Sequence, residues 1–223
     1  MKCKLLFRAL VKLVMGLVLL GAMLFGTAGT WHYTQAWIFL AILFVPMTLV
    51  GMVLAVKNPA LLSQRLDAKE KETEQRWVVA LSGLLFVLSF VLAGFNFRYG
   101  WIVMPMWSVW VSAGVFLVAY ALYAEVLRQN TYLSRTIQVQ EGQQVISTGL
   151  YGVVRHPMYA ATILLFLSMP LVLGSPVSFV LMLLYIPIIH VRIKNEEKIL
   201  SEQLNGYTQY QQKVKYKVLP FVW

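Results

Sequence analysis

Within eleven positions, Gly149-Leu150-Tyr151-Gly152-Val153-Val154-Arg155-His156-Pro157-Met158-Tyr159 gathers a cation, an imidazole, two phenols and a proline between two very apolar regions. Pro157 biases His156 away from the helical region and itself suits the first position of a helix, and an apolar run follows at once. The spacing predicts a polar loop that delivers Arg155 and His156 to the start of a membrane helix. The free N–H groups and partial positive charge of a helix N-terminus suit a carboxylate or phosphate there. Further along, Arg192 and Glu196 are four apart and share a helix face, with Glu197 beside them. Each piece alone also has a plainer reading. Arg155 reads as an interfacial anchor, His156 as a helix-start residue, and Arg192–Glu196 as a surface pair contributing roughly a few tenths of a kcal/mol.

The elements that must position these residues follow from hydropathy. The chain has 223 residues, 59% hydrophobic and 13% charged, with mean hydropathy +0.69. A soluble domain is nearer half apolar and a quarter charged, so an all-α integral membrane protein is expected. The net charge of +10 does not mark a nucleic-acid binder, because the basic residues flank apolar runs instead of forming one patch. Cys3 is the single cysteine, which excludes an intrachain disulfide.

Four spans are expected at about Leu13–Ala28, Ala36–Val56, Trp77–Phe95 and Trp101–Ala124, each near the ~20 residues a bilayer needs. A basic tail (Lys2, Lys4, Arg8, Lys12) precedes the first span, and Pro46 is a tolerated kink in the second. The mixed charges of Lys57–Arg76, among them Asp67, Lys69, Glu70, Lys71 and Glu72, predict a solvated helix with internal pairs. Asn96–Gly100 reads as a tight turn, and the alternation of Ile137, Val139, Val145 and Ile146 predicts a short irregular or extended stretch within the polar sequence after Glu125. Gly174-Ser175-Pro176 breaks the apolar sequence into a hairpin, Ala160–Leu173 and Val177–His190, the second leg continuing as Val191–Leu204. With a cytoplasmic N-terminus, Arg98 is the single Lys or Arg in an external connection. That bias places the Arg155–His156 loop and the C-terminus in the cytoplasm. Whether the membrane is a bacterial inner membrane or an endomembrane is not fixed by this count.

The hairpin folds its last helix beside the one starting at Pro157, so Arg155, His156, Tyr159, Arg192 and Glu196 are expected to converge at the cytoplasmic end. The ordered pattern Gly149-x-Tyr151-x3-Arg155-His156-Pro157-x-Tyr159, a helical hairpin, Arg192-x3-Glu196-Glu197 and then Tyr207-x2-Tyr210 resembles the isoprenylcysteine carboxyl methyltransferase family, over residues 131–223. The resemblance implies a methyltransferase region at 131–223 mounted on a scaffold of four spans, residues 1–130. It also implies a cytoplasmic pocket for S-adenosylmethionine, reached by a lipidic or prenylated acceptor from within the bilayer. No metal and no nucleic acid is implied.

By that resemblance the cofactor contacts are Gln138 or Gln140, Gln143, Gln144, Val145, Ile146, Tyr151, Arg155, His156, Pro157, Met158, Tyr159 and Glu196. Arg192 falls where the family places a substrate-binding arginine, and with Glu196 forms the catalytic pair. Gln143 stands where relatives can have histidine. The chemistry is consistent: phenol rings of Tyr151 and Tyr159 can face a sulfonium, Glu196 can accept from an ammonium or ribose, and His156 with nearby N–H groups can hold a carboxylate. A carboxylate acceptor is already ionised and needs no general base, whereas an amine acceptor would recruit Glu196, Glu197 or His190. Phospholipid amine methylation and a sterol-reductase-like oxidoreductase are the alternatives. Whether Tyr207 and Tyr210 touch ligand or only seat the tail is left open by the sequence.

Overall fold

The computed structural model describes residues 2–66, 73–133 and 139–223. Its principal helices are α1 (Lys2–Ala28), α2 (Thr34–Lys57), α3 (Pro59–Leu66), α4 (Thr73–Tyr99), α5 (Met106–Gln129), α6 (Pro157–Val172), α7 (Pro176–Met182), α8 (Tyr185–Gln203) and α9 (Tyr207–Lys213). No strand occurs among the described residues. Helices satisfy every backbone group within the segment, which is what apolar sequence in a lipid solvent requires. Five stretches are long and apolar enough to cross a bilayer: Lys4–Ala28, Thr34–Lys57, Arg76–Tyr99, Met106–Gln129 and Pro176–Gln203. α6 is apolar but shorter. The protein is a multi-span helical membrane protein, as its hydropathy requires.

The core lies where α6 packs along α5 and where α4 meets α1, α7 and α8. Leu24, Tyr33, Phe39, Val172, Leu173, Met182 and Ile193 are buried there, with small Ala36, Ala93 and Ala119 letting the helices approach. A Cβ on Gly94 would overlap the Thr27 side chain, so α1 and α4 close directly on that glycine. Outward faces stay apolar and exposed, as at Val14, Val18, Leu49, Val53, Leu84, Val111 and Val118. Against lipid such faces carry no penalty.

Several boundaries differ from those expected. The basic N-terminal residues are the first turns of α1, not a separate tail. The Asn96–Gly100 turn is mostly helix: α4 runs on to Tyr99 and only Gly100, at φ 61°, reverses the chain. Asn96 explains the overrun, because its amide donates to Ile102 O (2.9 Å) and Gly174 O (3.2 Å) and accepts from Ile102 N (3.1 Å). It thereby satisfies the turn from within the helix. α5 begins at Met106 and not near Trp101, since Pro105 is extended (φ −65°, ψ 145°) and restricts the residue before it. The second hairpin leg is not continuous to His190. It breaks at Leu183–Leu184, where Pro187 lacks an N–H and its ring opposes the carbonyl four residues back. The stretch around Val145, for which irregular or extended chain is expected, is irregular. Arg135, Ile137, Gln138 and the charged residues 67–72 lie outside the described residues.

Candidate functional site

The Gly149–Gly152 segment forms a short 3-10 turn, with Gly149 at φ 59° and its would-be Cβ position filled by the Gln129 amide. Gln129 Oε1 accepts from Leu150 N (2.9 Å), and its Nε2 donates to Glu125 Oε1 (2.6 Å). The end of α5 thus fixes the turn. His156 is non-helical (φ −126°, ψ 62°) and α6 starts at Pro157, as the sequence requires.

Arg155 and His156 are drawn inward. Arg155 is 9% exposed and His156 5%. Arg155 Nε donates to Glu197 Oε1 (2.7 Å) and its Nη1 to the carbonyls of Val214 (2.6 Å) and Lys215 (2.9 Å). His156 Nε2 lies 3.2 Å from the same Glu197 oxygen, and Lys217 Nζ is 2.9 Å from Glu197 Oε2. Their backbone N–H groups donate to Tyr216 O (2.9 Å) and Lys217 O (2.7 Å). The N–H groups of Arg155 and His156 therefore hold the C-terminal segment. Glu197 is the hub that ties loop, α8 and tail together.

Glu196, one residue earlier, lies elsewhere on α8. Tyr159 Oη donates to Glu196 Oε2 and accepts from Arg192 Nε (3.0 Å), so one buried phenol bridges the two ionic groups. They border a cleft that is partly open to solvent. Its wall includes Gln143, Gln144, Val145, Ile146, Tyr151, Arg155, His156, Met158, Tyr159, Arg192 and Glu196, all named from sequence. Gln140 is not on the wall: its side chain donates to Tyr132 O, and its N–H is held by Gln143 Oε1 at 2.9 Å. Pro157 is buried behind the wall as the first residue of α6, and Gln138 lies outside the described residues.

Tyr207 and Tyr210 also line the cleft, joined by Asn130, Tyr132, Leu133, Leu200 and Leu204, which sequence reasoning did not single out. Leu200 and Leu204 carried a signal, since they continue the four-residue spacing of Arg192 and Glu196 along α8. Asn130 had none; it donates to Tyr151 Oη (2.9 Å) from the C-terminal cap of α5. Tyr210 Oη donates to Tyr151 O (2.7 Å), which fastens α9 to the 3-10 turn. Burial raises the Tyr151 and Tyr207 phenols well above their ordinary range and Tyr210 to about 12. All three therefore stay protonated hydrogen-bond donors.

A cleft walled by phenols, the Glu196 carboxylate, the Arg155 and Arg192 guanidiniums and irregular backbone offers partners to both the cationic and the anionic groups of a small polar ligand carrying hydroxyls. Residues 102–206 match the phospholipid methyltransferase family. The resemblance to membrane methyltransferases drawn from motif order is shown by that match. Its span runs from just before α5 to the start of α9, so it includes α5 and both helices of the hairpin.

Individual relatives are more distant. A Delta(14)-sterol reductase of Methylotuvimicrobium alcaliphilum is 21% identical over 135 residues, 54% of this chain and 32% of the relative. Delta(14)-sterol reductase TM7SF2 of Mus musculus is 26% identical over 91 residues, 40% of this chain and 22% of the relative. The chain thus spans about a third or less of the sterol reductases it matches. The uncharacterized protein YpbQ of Bacillus subtilis is 25% identical over 167 residues, 74% of this chain and 96% of that protein.

Proposed function

We propose that the cleft binds S-adenosylmethionine and that the protein methylates a lipidic acceptor entering from the bilayer, a carboxylate in the reading we favour. The observation that carries this is the Glu196–Tyr159–Arg192 bridge on the cleft wall. The residues fit the cofactor: phenol faces suit a sulfonium, and a carboxylate and guanidiniums stand beside them for its charged groups. Bound there, the cofactor supplies a methyl group made electrophilic by a sulfonium cation.

The chain's own part is orientation and water exclusion. Glu196 holds an ammonium or ribose hydroxyls, its carboxylate already positioned by Tyr159. Tyr151, Tyr159 and the backbone of Gln143–Ile146 enclose the cofactor, with Gln144, Met158 and His156 beside them. Arg192 orients the acceptor carboxylate, which is ionised at neutral pH and needs no base. The scaffold of residues 1–130 and the cofactor-binding region of 131–223 form one bundle in this reading, with both termini on the cytoplasmic side.

Two further readings each have an observation behind them. The family's description supports an amine acceptor, and the sterol reductases support a nicotinamide-dependent oxidoreductase. Calorimetric titration of the detergent-purified protein separates the methyltransferase readings from the reductase one. The parent is expected to bind S-adenosylmethionine at micromolar concentration and to ignore NADPH. Glu196→Gln should weaken binding by roughly tenfold or more, the cost of one charge-assisted hydrogen bond. Preferential binding of NADPH by the parent would replace the methyltransferase reading with the reductase one.

A further inference from the structure

We propose that the Tyr207 hydroxyl hydrogen-bonds a ring nitrogen of the cofactor's adenine, and that the cleft end around Tyr207, Leu200 and Leu204 is the base-binding end. The inference rests on the adenosyl-cofactor reading above and deepens it.

Among the described residues, two buried side-chain polar atoms lack a hydrogen-bond partner: Ser89 Oγ and Tyr207 Oη. Ser89 sits inside the helical bundle, where its carbonyl accepts from Ser178. Tyr207 lines the cleft and is 3% exposed. The neighbouring cleft tyrosines are all engaged: Tyr151 with Asn130, Tyr159 with Glu196 and Arg192, Tyr210 with Tyr151 O. A buried hydroxyl without a partner is unfavourable, so an unpartnered donor on a residue that lines a binding cleft points to an acceptor on the ligand.

The surroundings narrow the class of ligand. Tyr207 packs with Leu204, Tyr210 and Val214, with Val145 and Leu200 against them. The Tyr210 ring centre is 5.8 Å away at 54°. The closest ionic pair, Arg155 and Glu197, is already bonded to itself and to the tail. An apolar slot with one free donor suits a flat, uncharged heteroaromatic ring whose edge carries acceptors. It does not suit the cofactor's charged amino-acid end. Arg192, Glu196 and Leu200 follow at four-residue intervals on α8 and Leu204 caps its end, so the ionic groups give way to apolar ones about 6 Å further along the helix at 1.5 Å per residue. That polarity matches a ligand with a cationic centre at one end and a base at the other.

The test compares the full-length parent and Tyr207→Phe in detergent. The probes are S-adenosylhomocysteine and analogues in which a single adenine ring nitrogen is replaced by C–H. The parent should bind one analogue roughly three- to tenfold more weakly than S-adenosylhomocysteine, as expected for one neutral hydrogen bond. Tyr207→Phe should bind S-adenosylhomocysteine that much more weakly and no longer distinguish the two. Ligand-free Tyr207→Phe should melt at or above the parent's temperature, because it loses an unpartnered buried hydroxyl. Unchanged affinity, retained discrimination, or a variant melting well below the parent would each overturn the assignment. A parent that binds no adenosyl ligand sinks the proposed function and this inference with it, whereas binding by the parent with no effect of Tyr207→Phe sinks this inference alone.

Discussion

Adjacent carboxylates on α8 divide two tasks. Glu197 is 8% exposed and faces Arg155, His156 and Lys217, whereas Glu196 faces Tyr159 and the cleft. Removing one partner of a buried ion pair leaves the other charge unsatisfied and costs about 3–5 kcal/mol. Glu197→Ala should therefore lower the melting temperature sharply, releasing the segment 214–217. Glu196→Gln should leave melting close to the parent and act on ligand binding; thermal melts of both variants in one detergent check this.

A second prediction concerns pH. Burial raises Tyr210 from 10.0 to about 12, so the folded state holds its proton more tightly than the unfolded chain does. The stability this contributes is complete below pH 10 and is lost as pH rises through about 12. Limited proteolysis should find the Lys213–Lys217 region protected at neutral pH and cleaved as pH climbs through that window.

Helix ends in this protein are set by side chains that reach across the bundle, and that is why apolar periodicity alone misplaced them. Hydropathy gives the middle of a span but is indifferent to whether Asn96 caps a turn from inside α4 or Pro105 delays α5. The hairpin was legible from Gly174-Ser175-Pro176: Gly174 has φ 72° and Ser175 caps α7 by accepting from Ser178 N (3.3 Å). The break before α8 was written in Pro187, but an apolar run long enough to span hides it. Close helix contact supplies the prediction at this scale. Gly94→Val puts a branched side chain where the Thr27 side chain already sits, which should force α1 from α4. Overpacking of this kind costs about 1–3 kcal/mol, measurable as a lower melting temperature with the cleft's ligand affinity little changed.

Across the whole molecule, apolar faces turned outward and a basic bias at one end define how the bundle sits in a membrane. Arg98 lies at the end of α4, opposite the end that carries α3, the Arg155 loop and the tail. The positive-inside bias therefore predicts that reporters fused at either terminus read on the cytoplasmic side. A reporter inserted after Gly100 should read on the other side. An external C-terminal reporter would invert the orientation and leave the cleft facing away from cytoplasmic cofactor.

The sequence by itself determined the class of molecule, the first four apolar spans and the hairpin, and its resemblance to a methyltransferase family named most of the cleft wall. The class, the spans and the hairpin depend on local composition or on spacing within one segment: hydropathy over ~20 residues, a proline at a helix start, a four-residue interval on one face. Tertiary structure alone decided which polar groups are available to a ligand. Arg155 and the N–H groups beside it had the right chemistry for an anion, but the tail, some sixty residues away, occupies them. The Tyr207-x2-Tyr210 motif did not tell the two phenols apart, and only packing against Leu204, Tyr210 and Val214 left the Tyr207 hydroxyl buried without a partner. Hydrogen-bond satisfaction is a property of the assembled interior. No window of sequence contains both donor and acceptor when they come from opposite ends of the fold.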